Sequence, residues 1–513
     1  MPLSTALENS GYARLSRSWE ISEFLSELAR RYSVAKRVTI GQSARGRPLE
    51  ALLLSEELHL FGRSHPSHGK VTVMLVGSQH GTEPSGAEAI LLVAREVVAG
   101  RLRPYLKDMN LILVPNSNPD GRDSHRRGND HGVNLNTNFT VLSEPESRAI
   151  NDTLVKWQPE VVLDVHESAI LKRKSLARQG YLTDFEAQFE VANNPNVDSQ
   201  MRAFSFERLL PEVISRVKAK GLLAQRYIGE VTDVHQPIMH GGLSLKNLRN
   251  KAGMTGSFSF LLENRLDPPA GRYPSPGNIR DRVAKQYLCI SAFLTGCRAH
   301  RAEILRLVRE ARRKWRDPRT EDPLYLSSVY VLDRSRPTIS LILRKLETGQ
   351  SVEHFFANHG AVANRYPLTL PPAYVVTAHQ ELLKELLDRH HIKYQVVASP
   401  AVVPVTIEQI GSRERVITGR GSGYSGYSVR ERQADYTLGK GDLWIGLDQP
   451  ARRLIPLLLE PRSSSSIFND LPHSHLMAVG EDFFIHRVYE HSLSGVGAGF
   501  KPAFTLAKIL LTG

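Results

Sequence analysis

VMLVGSQHGTEPSG, residues 73–86, opens as an apolar run of strand length and breaks into a glycine-flanked turn. The run from Val71 to Val76 has the continuity of a buried strand, and Gly77, Gly81 and Pro84 punctuate the residues after it. His80 and Glu83, three apart, are therefore expected on a loop at the carboxyl end of a strand. In open α/β sheets that is where ligands bind. The pair is either half of a metal site or two polar residues that close a strand, and the remainder of the chain decides between them.

Working outward, strand-like runs such as NLILVPNSNP (110–119) and VVLDVHES (161–168) alternate with helical stretches such as GAEAILLVAREVVAG (86–100) up to about residue 300. That alternation predicts an α/β fold with helices on the faces of a central sheet. At 513 residues the chain is too long for one ordinary core, so two domains are expected. A helix predicted over 278–314 leads into RDPRTEDP (316–323), a polar, proline-containing linker. The stretches 371–397 and 441–460 then read as strand–helix units of a smaller α/β domain. The expected division is a catalytic domain at 1–315, a linker at 316–325 and an accessory domain at 326–513.

Composition narrows the function classes. The chain carries 66 basic against 53 acidic side chains, a net of +13 that would suit acidic partners. Much of the excess lies in 301–319, whose alternating charge reads as the solvated face of a long helix. The stretch GRGSGYSGYSVRER (419–432) has the composition of a single-strand-binding element but occurs once with no recognition module, and it reads as a flexible loop. Nucleic acid is not an expected partner. No apolar stretch of 18 residues exists to cross a bilayer, and the first residues have no signal-peptide core. The expectation is a chain without a membrane partner, either cytoplasmic or exported with its leader removed. Cys289 and Cys297 lie eight residues apart in a helix-like segment, about 12 Å and too far to bridge. There is no G-x-S-x-G, Walker loop or CxxC to support serine-hydrolase, nucleotide or thiol-redox chemistry.

VVLDVHES supplies a partner for the opening pair, because His166 comes at the carboxyl end of this second strand. Two histidines and one carboxylate on strand-end loops form a catalytic zinc set, since three protein ligands leave the fourth position for water. The HExxH alternative fails: HESAI has Ile170 where a second histidine is needed.

Five ordered segments resemble the zinc metallocarboxypeptidase family, the carboxypeptidase A-like group. They are GQSARGRPLEALLL (41–54), GSQHGTEPSG (77–86), PNSNPDGRDSHRRGNDHGVNLNTNF (115–139), DVHES (164–168) and GSFSFLLENR (256–265). The later stretch 441–461 resembles the C-terminal extension of certain large bacterial members. The resemblance implies a carboxypeptidase-like α/β/α fold with a mixed central sheet, and one Zn2+ per chain held by His80, Glu83 and His166. It makes Glu263 the general base, Arg127 the oxyanion-stabilising arginine, and Asn136, Arg127 and the position of Thr137 the substrate-binding set. A carboxylate beside a zinc-bound water can take its proton and pass it to the leaving amine, and a fixed guanidinium can stabilise charge that develops only in the transition state.

Three departures bear on specificity. Where the family reads DLNRNF this chain has NLNTNF (134–139), so Thr137 replaces the arginine that meets a substrate carboxylate; Thr82 stands where another arginine is common; and Asn134 replaces the aspartate that orients the first zinc histidine. A bidentate cation is the natural reader of a free C-terminus. Arg122, Arg126 and Arg265 are near enough in sequence to substitute, and Glu167 is the next candidate for the base. The leading expectation is a zinc-dependent hydrolase of peptide or peptide-like amide bonds with atypical carboxylate recognition. A deacylase of N-acyl amino acids and a non-enzymatic binding module with a residual peptidase fold are the alternatives.

Overall fold

The computed structural model describes residues 3–61, 69–172, 174–266, 278–317, 322–419, 422–469, 472–489 and 504–505. They form two compact units: Met1–Phe139 with Ser143–Ala311 and Tyr330–Val362, and Thr140–Leu142 with Arg312–Val329 and Ala363–Gly513.

The first unit is built on strands β1 (Ala35–Gln42), β2 (Pro48–Leu54), β3 (Val71–Gly77), β4 (Met109–Val114), β5 (Val161–Ser168), β6 (Tyr181–Thr183), β7 (Ala187–Val191), β8 (Ala224–Arg226) and β9 (Phe258–Arg265). Eight of them form one mixed sheet in the order β1-β2-β4-β3-β5-β9-β7-β8. The centre, β4-β3-β5-β9, is parallel, and the flanks β1-β2, β2-β4 and β7-β9 are antiparallel. All seven residues of β3 are buried. Val71, Val73 and Leu75 face one core together with helices Ser18–Arg31, Ser85–Ala99 and Ile279–Ala299, while Met74 and Val76 point to the other side and are equally buried. Burial on both faces explains why the central strands read as unbroken apolar runs. The mixed α/β sheet expected from the sequence is the sheet observed.

Three expectations are corrected by the structure, two of them in and around the first unit. The helix predicted over 278–314 is two helices, Ile279–Ala299 and Arg301–Arg316, separated at His300, whose Nε2 meets Glu212 Oε2 at 2.6 Å. Residues 330–362 fold with the first unit instead of with the accessory region: strand Thr338–Lys345 pairs antiparallel with β6, Leu343 opposite Thr183 and Lys345 opposite Tyr181. Part of the expected linker, 318–321, lies outside the described residues, and by Leu324 the chain is already a strand.

The second unit holds a seven-stranded sheet with helices Gln380–Arg389 and Leu454–Leu459. Its longest strands, Ala401–Gly419 and Ser422–Leu438, pair antiparallel, so Gly419 ends one strand and 422–432 belong to the returning strand, not to a flexible loop; 420–421 lie outside the described residues. The partner strand explains the outcome. It presents Val403, Val405, Ile407 and Ile410 to the core, and its backbone supplies the hydrogen bonds that a glycine- and serine-rich segment cannot make alone.

Candidate metal centre

The end of β3 turns sharply into the loop Ser78–Pro84, and the next helix starts at Ser85. Gly81 is required there by packing: a Cβ at this position would stand 2.0 Å from the carbonyl carbon of Gly121. The loop is further fixed by Asn118 Nδ2 donating to Gln79 O at 3.1 Å and by Glu83 N donating to His80 O at 3.0 Å.

His166 arrives from β5. The ligand atoms of His80, Glu83 and His166 all lie within 4.8 Å of one another, and all three residues are buried. His80 Nδ1 is 2.9 Å from Glu83 Oε1, His166 Nδ1 is 2.9 Å from Glu83 Oε2, and the two Nδ1 atoms are 3.2 Å apart. Four ligands around one zinc at about 2.1 Å would stand roughly 3.4 Å from one another, so this set matches a shared cation with little adjustment. Each imidazole turns its other nitrogen to a different partner. His80 Nε2 meets Asn134 Oδ1 at 2.8 Å, whereas His166 Nε2 meets Asp164 Oδ1 at 2.9 Å, so one imidazole is backed by an amide and the other by a carboxylate.

Burial would lower the pKa of His166, but the Asp164 carboxylate, helped by Glu83, overrides it and pushes the imidazole well above its ordinary value. Burial likewise opposes ionisation of Glu83, yet His80 and His166 hold it well below the usual carboxylate range. The two directions describe one arrangement, a buried carboxylate kept ionised against an imidazolium, and a bound cation would take the place of that positive charge.

Glu263 is the Cα partner of His166 across the parallel β5–β9 pair, which sets the two side chains on the same face of the sheet. Its Oε2 is buried without a hydrogen-bond partner among the described residues. Burial raises its pKa to about 8, and His166 and Arg127 offset this only in part. Orphaned buried polar atoms recur around it: Gln79 Oε1, Asp164 Oδ2 and, on β7 directly across from Glu263, Gln188 Nε2. Such groups normally have partners, and a bound ion with its water would supply them. The donor set and these orphaned atoms fit a zinc site.

The remaining sequence candidates separate clearly. Arg127 comes to the site, with Nη1 2.6 Å from Glu83 Oε1 and more than half of its side chain exposed. Asn136 also comes to it: its Nδ2 is 3.4 Å from His166 Nε2, and its Oδ1 accepts from Leu248 N at 3.1 Å. Thr137 is exposed on the same short turn and spends its hydroxyl on Asn134 O at 2.9 Å. Glu167 points to the opposite face, where Arg282 holds it at 2.7 and 2.9 Å and Ser85 N donates to it at 2.9 Å, so it does not stand beside the cluster. Arg122 is buried against Glu88 and Ser16 O and is not free to read a substrate. The sequence reading missed Asp164, Gln79 and Gln188. Asp164 carried a signal, since two residues before His166 on a strand means the same face. Gln79 and Gln188 carried none.

Residues 21–171 match the family described as zinc carboxypeptidase. Carboxypeptidase 2 of Trichophyton rubrum is 26% identical over 262 residues, covering 50% of this chain and 48% of that one. Carboxypeptidase 2 of Trichophyton tonsurans is 26% identical over 204 residues, covering 39% and 38%. A solved metallo-carboxypeptidase from Burkholderia cenocepacia superposes with a TM-score of 0.42 at 17% identity, covering 56% of this chain and 70% of that one. The chain spans about half the length of the curated relatives it matches. His80, Glu83 and His166 all lie inside the segment that is similar to the zinc carboxypeptidase family.

Proposed function

We propose that the chain is a zinc-dependent hydrolase of peptide or peptide-like amide bonds, of metallocarboxypeptidase type, with one zinc held by His80, Glu83 and His166. The observation that carries this reading is the convergence of two imidazole Nδ1 atoms and one carboxylate beside the unpartnered Glu263. Zinc bound there supplies a Lewis acid and lowers the pKa of a coordinated water. Glu263 then has the work of a general base: it takes a proton from the attacking water at its carboxylate and returns it to the leaving amine. Burial raises its pKa to about 8 in the metal-free site, and zinc bound beside it would lower that value and leave the carboxylate ionised to accept the proton. On this reading Arg127 donates to a developing carbonyl oxyanion, which its exposure at the edge of the cluster supports. Asn136 orients substrate polar groups while braced by Leu248 N.

Recognition of the terminal carboxylate is atypical on this reading. Thr137 offers one hydroxyl where a bidentate guanidinium would stand, and Arg122 is committed elsewhere. A peptide amide should be cleaved at a rate comparable to that of the matched free acid, because no charge-assisted pair is lost with the carboxylate. The test is kinetics on matched acid and amide substrates together with Glu263→Gln, which should keep zinc by elemental analysis and lose hydrolysis by about a hundredfold or more. Near-normal turnover in Glu263→Gln would remove Glu263 from the role, and a strong preference for the acid would show that another cation reads the carboxylate.

A further inference from the structure

Away from the metal centre, the first unit has an open cavity of about 910 Å³, and none of the metal-centre residues lines it. One wall is the single π-helical turn Ser205–Leu209, which joins helices Ser199–Phe204 and Leu210–Lys218. Turns of this kind are rare and recur at functional sites. The opposite wall comes from residues 330–362, the segment that folds back on this unit.

The polar side of the cavity carries more cations than anions: Arg202, Lys218, Arg226 and Arg336 line it with one carboxylate, Glu207. Arg202 forms no ion pair among the described residues: its Nε is buried without a hydrogen-bond partner, and its Nη1 reaches only Pro195 O, at 3.4 Å. Burial pulls its pKa below the ordinary guanidinium value. A half-buried guanidinium with an orphaned Nε and no carboxylate has donors to spare, and a bound anion would meet them. Tyr330 stands close enough to interact with it electrostatically. Its hydroxyl oxygen accepts from the buried Asn193 Nδ2 at 2.8 Å, which leaves its own proton to donate. Burial pushes that phenol up, so it stays a donor. Lys218 on the rim has no ion-pair partner among the described residues, whereas Arg226 is already neutralised by Glu190 at 2.9 Å. The other side is apolar, with Phe206, Leu210, Pro211, Ile214 and Val362 facing the space.

We propose that this cavity binds an organic anion, a carboxylate or phosphate group on an apolar body. The head group is held by the Arg202 guanidinium and the Tyr330 hydroxyl, and the body lies on the apolar wall. The volume is that of a small-molecule site, larger than an inorganic ion needs.

The test is calorimetric titration of the zinc-loaded chain with phenyl phosphate and with phenylacetate, which separates the two head groups on one apolar body. At least one should bind with one equivalent per chain. Arg202→Gln should weaken it about tenfold or more, and Tyr330→Phe, which removes only the hydroxyl and keeps the ring, should weaken it severalfold. Lys218→Gln lies on the surface and should lower affinity at low salt and matter less at high salt. A probe that has merely bound at the metal keeps its affinity in Arg202→Gln and Tyr330→Phe, and that result overturns the proposal. Failure of both probes to saturate in the millimolar range overturns it as well.

Discussion

Asn134 offers the sharpest perturbation of the metal centre. Its Oδ1 accepts from His80 Nε2 at 2.8 Å and from Asn136 N at 3.1 Å, so the amide is pinned with its oxygen toward the imidazole and its nitrogen away from it. Asn134→Asp keeps that shape and puts a full negative charge where the amide dipole now sits. The position is half-buried, so water can still reach the new carboxylate and its desolvation cost is small. A carboxylate behind a ligand histidine raises the basicity of the metal-facing nitrogen, and partners of this type are worth about 10–100-fold in metal affinity. The expected gain for Asn134→Asp is about tenfold, or about 1.4 kcal/mol, at the low end because the hydrogen bond already exists. Asn134→Ala removes the bond and should weaken zinc by about 10–100-fold. Competition against a chromophoric zinc chelator at neutral pH measures both. Equal affinities in wild type and Asn134→Ala would refute the reasoning, because the second nitrogen of His80 would then have no influence on the first.

Other perturbations test the surroundings. Glu88→Gln strips the buried Arg122 of its carboxylate and should cost about 3–5 kcal/mol in denaturant unfolding, whereas a loss under about 1 kcal/mol would mean that water reaches the guanidinium. In metal-free protein, Glu263 binds its proton more tightly folded than unfolded, so the stability it contributes is present at acid pH and is lost as the pH rises from 4.5 to about 8. Glu263→Gln should therefore be more stable than wild type above pH 8 and show no such advantage near pH 4, by thermal unfolding in chelator. Gly81→Ala drives a methyl into Gly121 and should lower zinc content by displacing the His80–Glu83 loop; unchanged zinc by elemental analysis would show that the loop adapts.

The His80–Glu83 half of the candidate cluster was legible because an apolar run followed by glycines localises a loop at a strand's end. His166 and Glu263 were legible for the same reason, each ending a strand. Residues that act across strands were not. Gln188 stands opposite Glu263 through a register that no local pattern records, and Gln79 reaches Asp164 across β3 and β5 at 2.6 Å. The placement of 330–362 depended on the three residues of β6, far away in sequence, and a strand that short has no period to read. The stretch 419–432 was misjudged because glycine and serine content reports the freedom of an isolated segment, while its conformation is set by the strand it returns along. The break at His300 lies inside a continuous helical pattern, and a contact with Glu212 is a tertiary fact.

The β5–β9 register that sets His166 level with Glu263 also limits how this protein can evolve. Side chains alternate along a strand, so gaining or losing one residue inside either strand would swap the faces of everything beyond it and carry the imidazole or the carboxylate through the sheet. Substitutions along these strands can be sampled one at a time; length changes cannot. Heritable variation in what the site accepts is thereby channelled into the segments between strands, where Thr82, Asn134 and Thr137 already differ from the family pattern and where a chain can lengthen without disturbing the ladder.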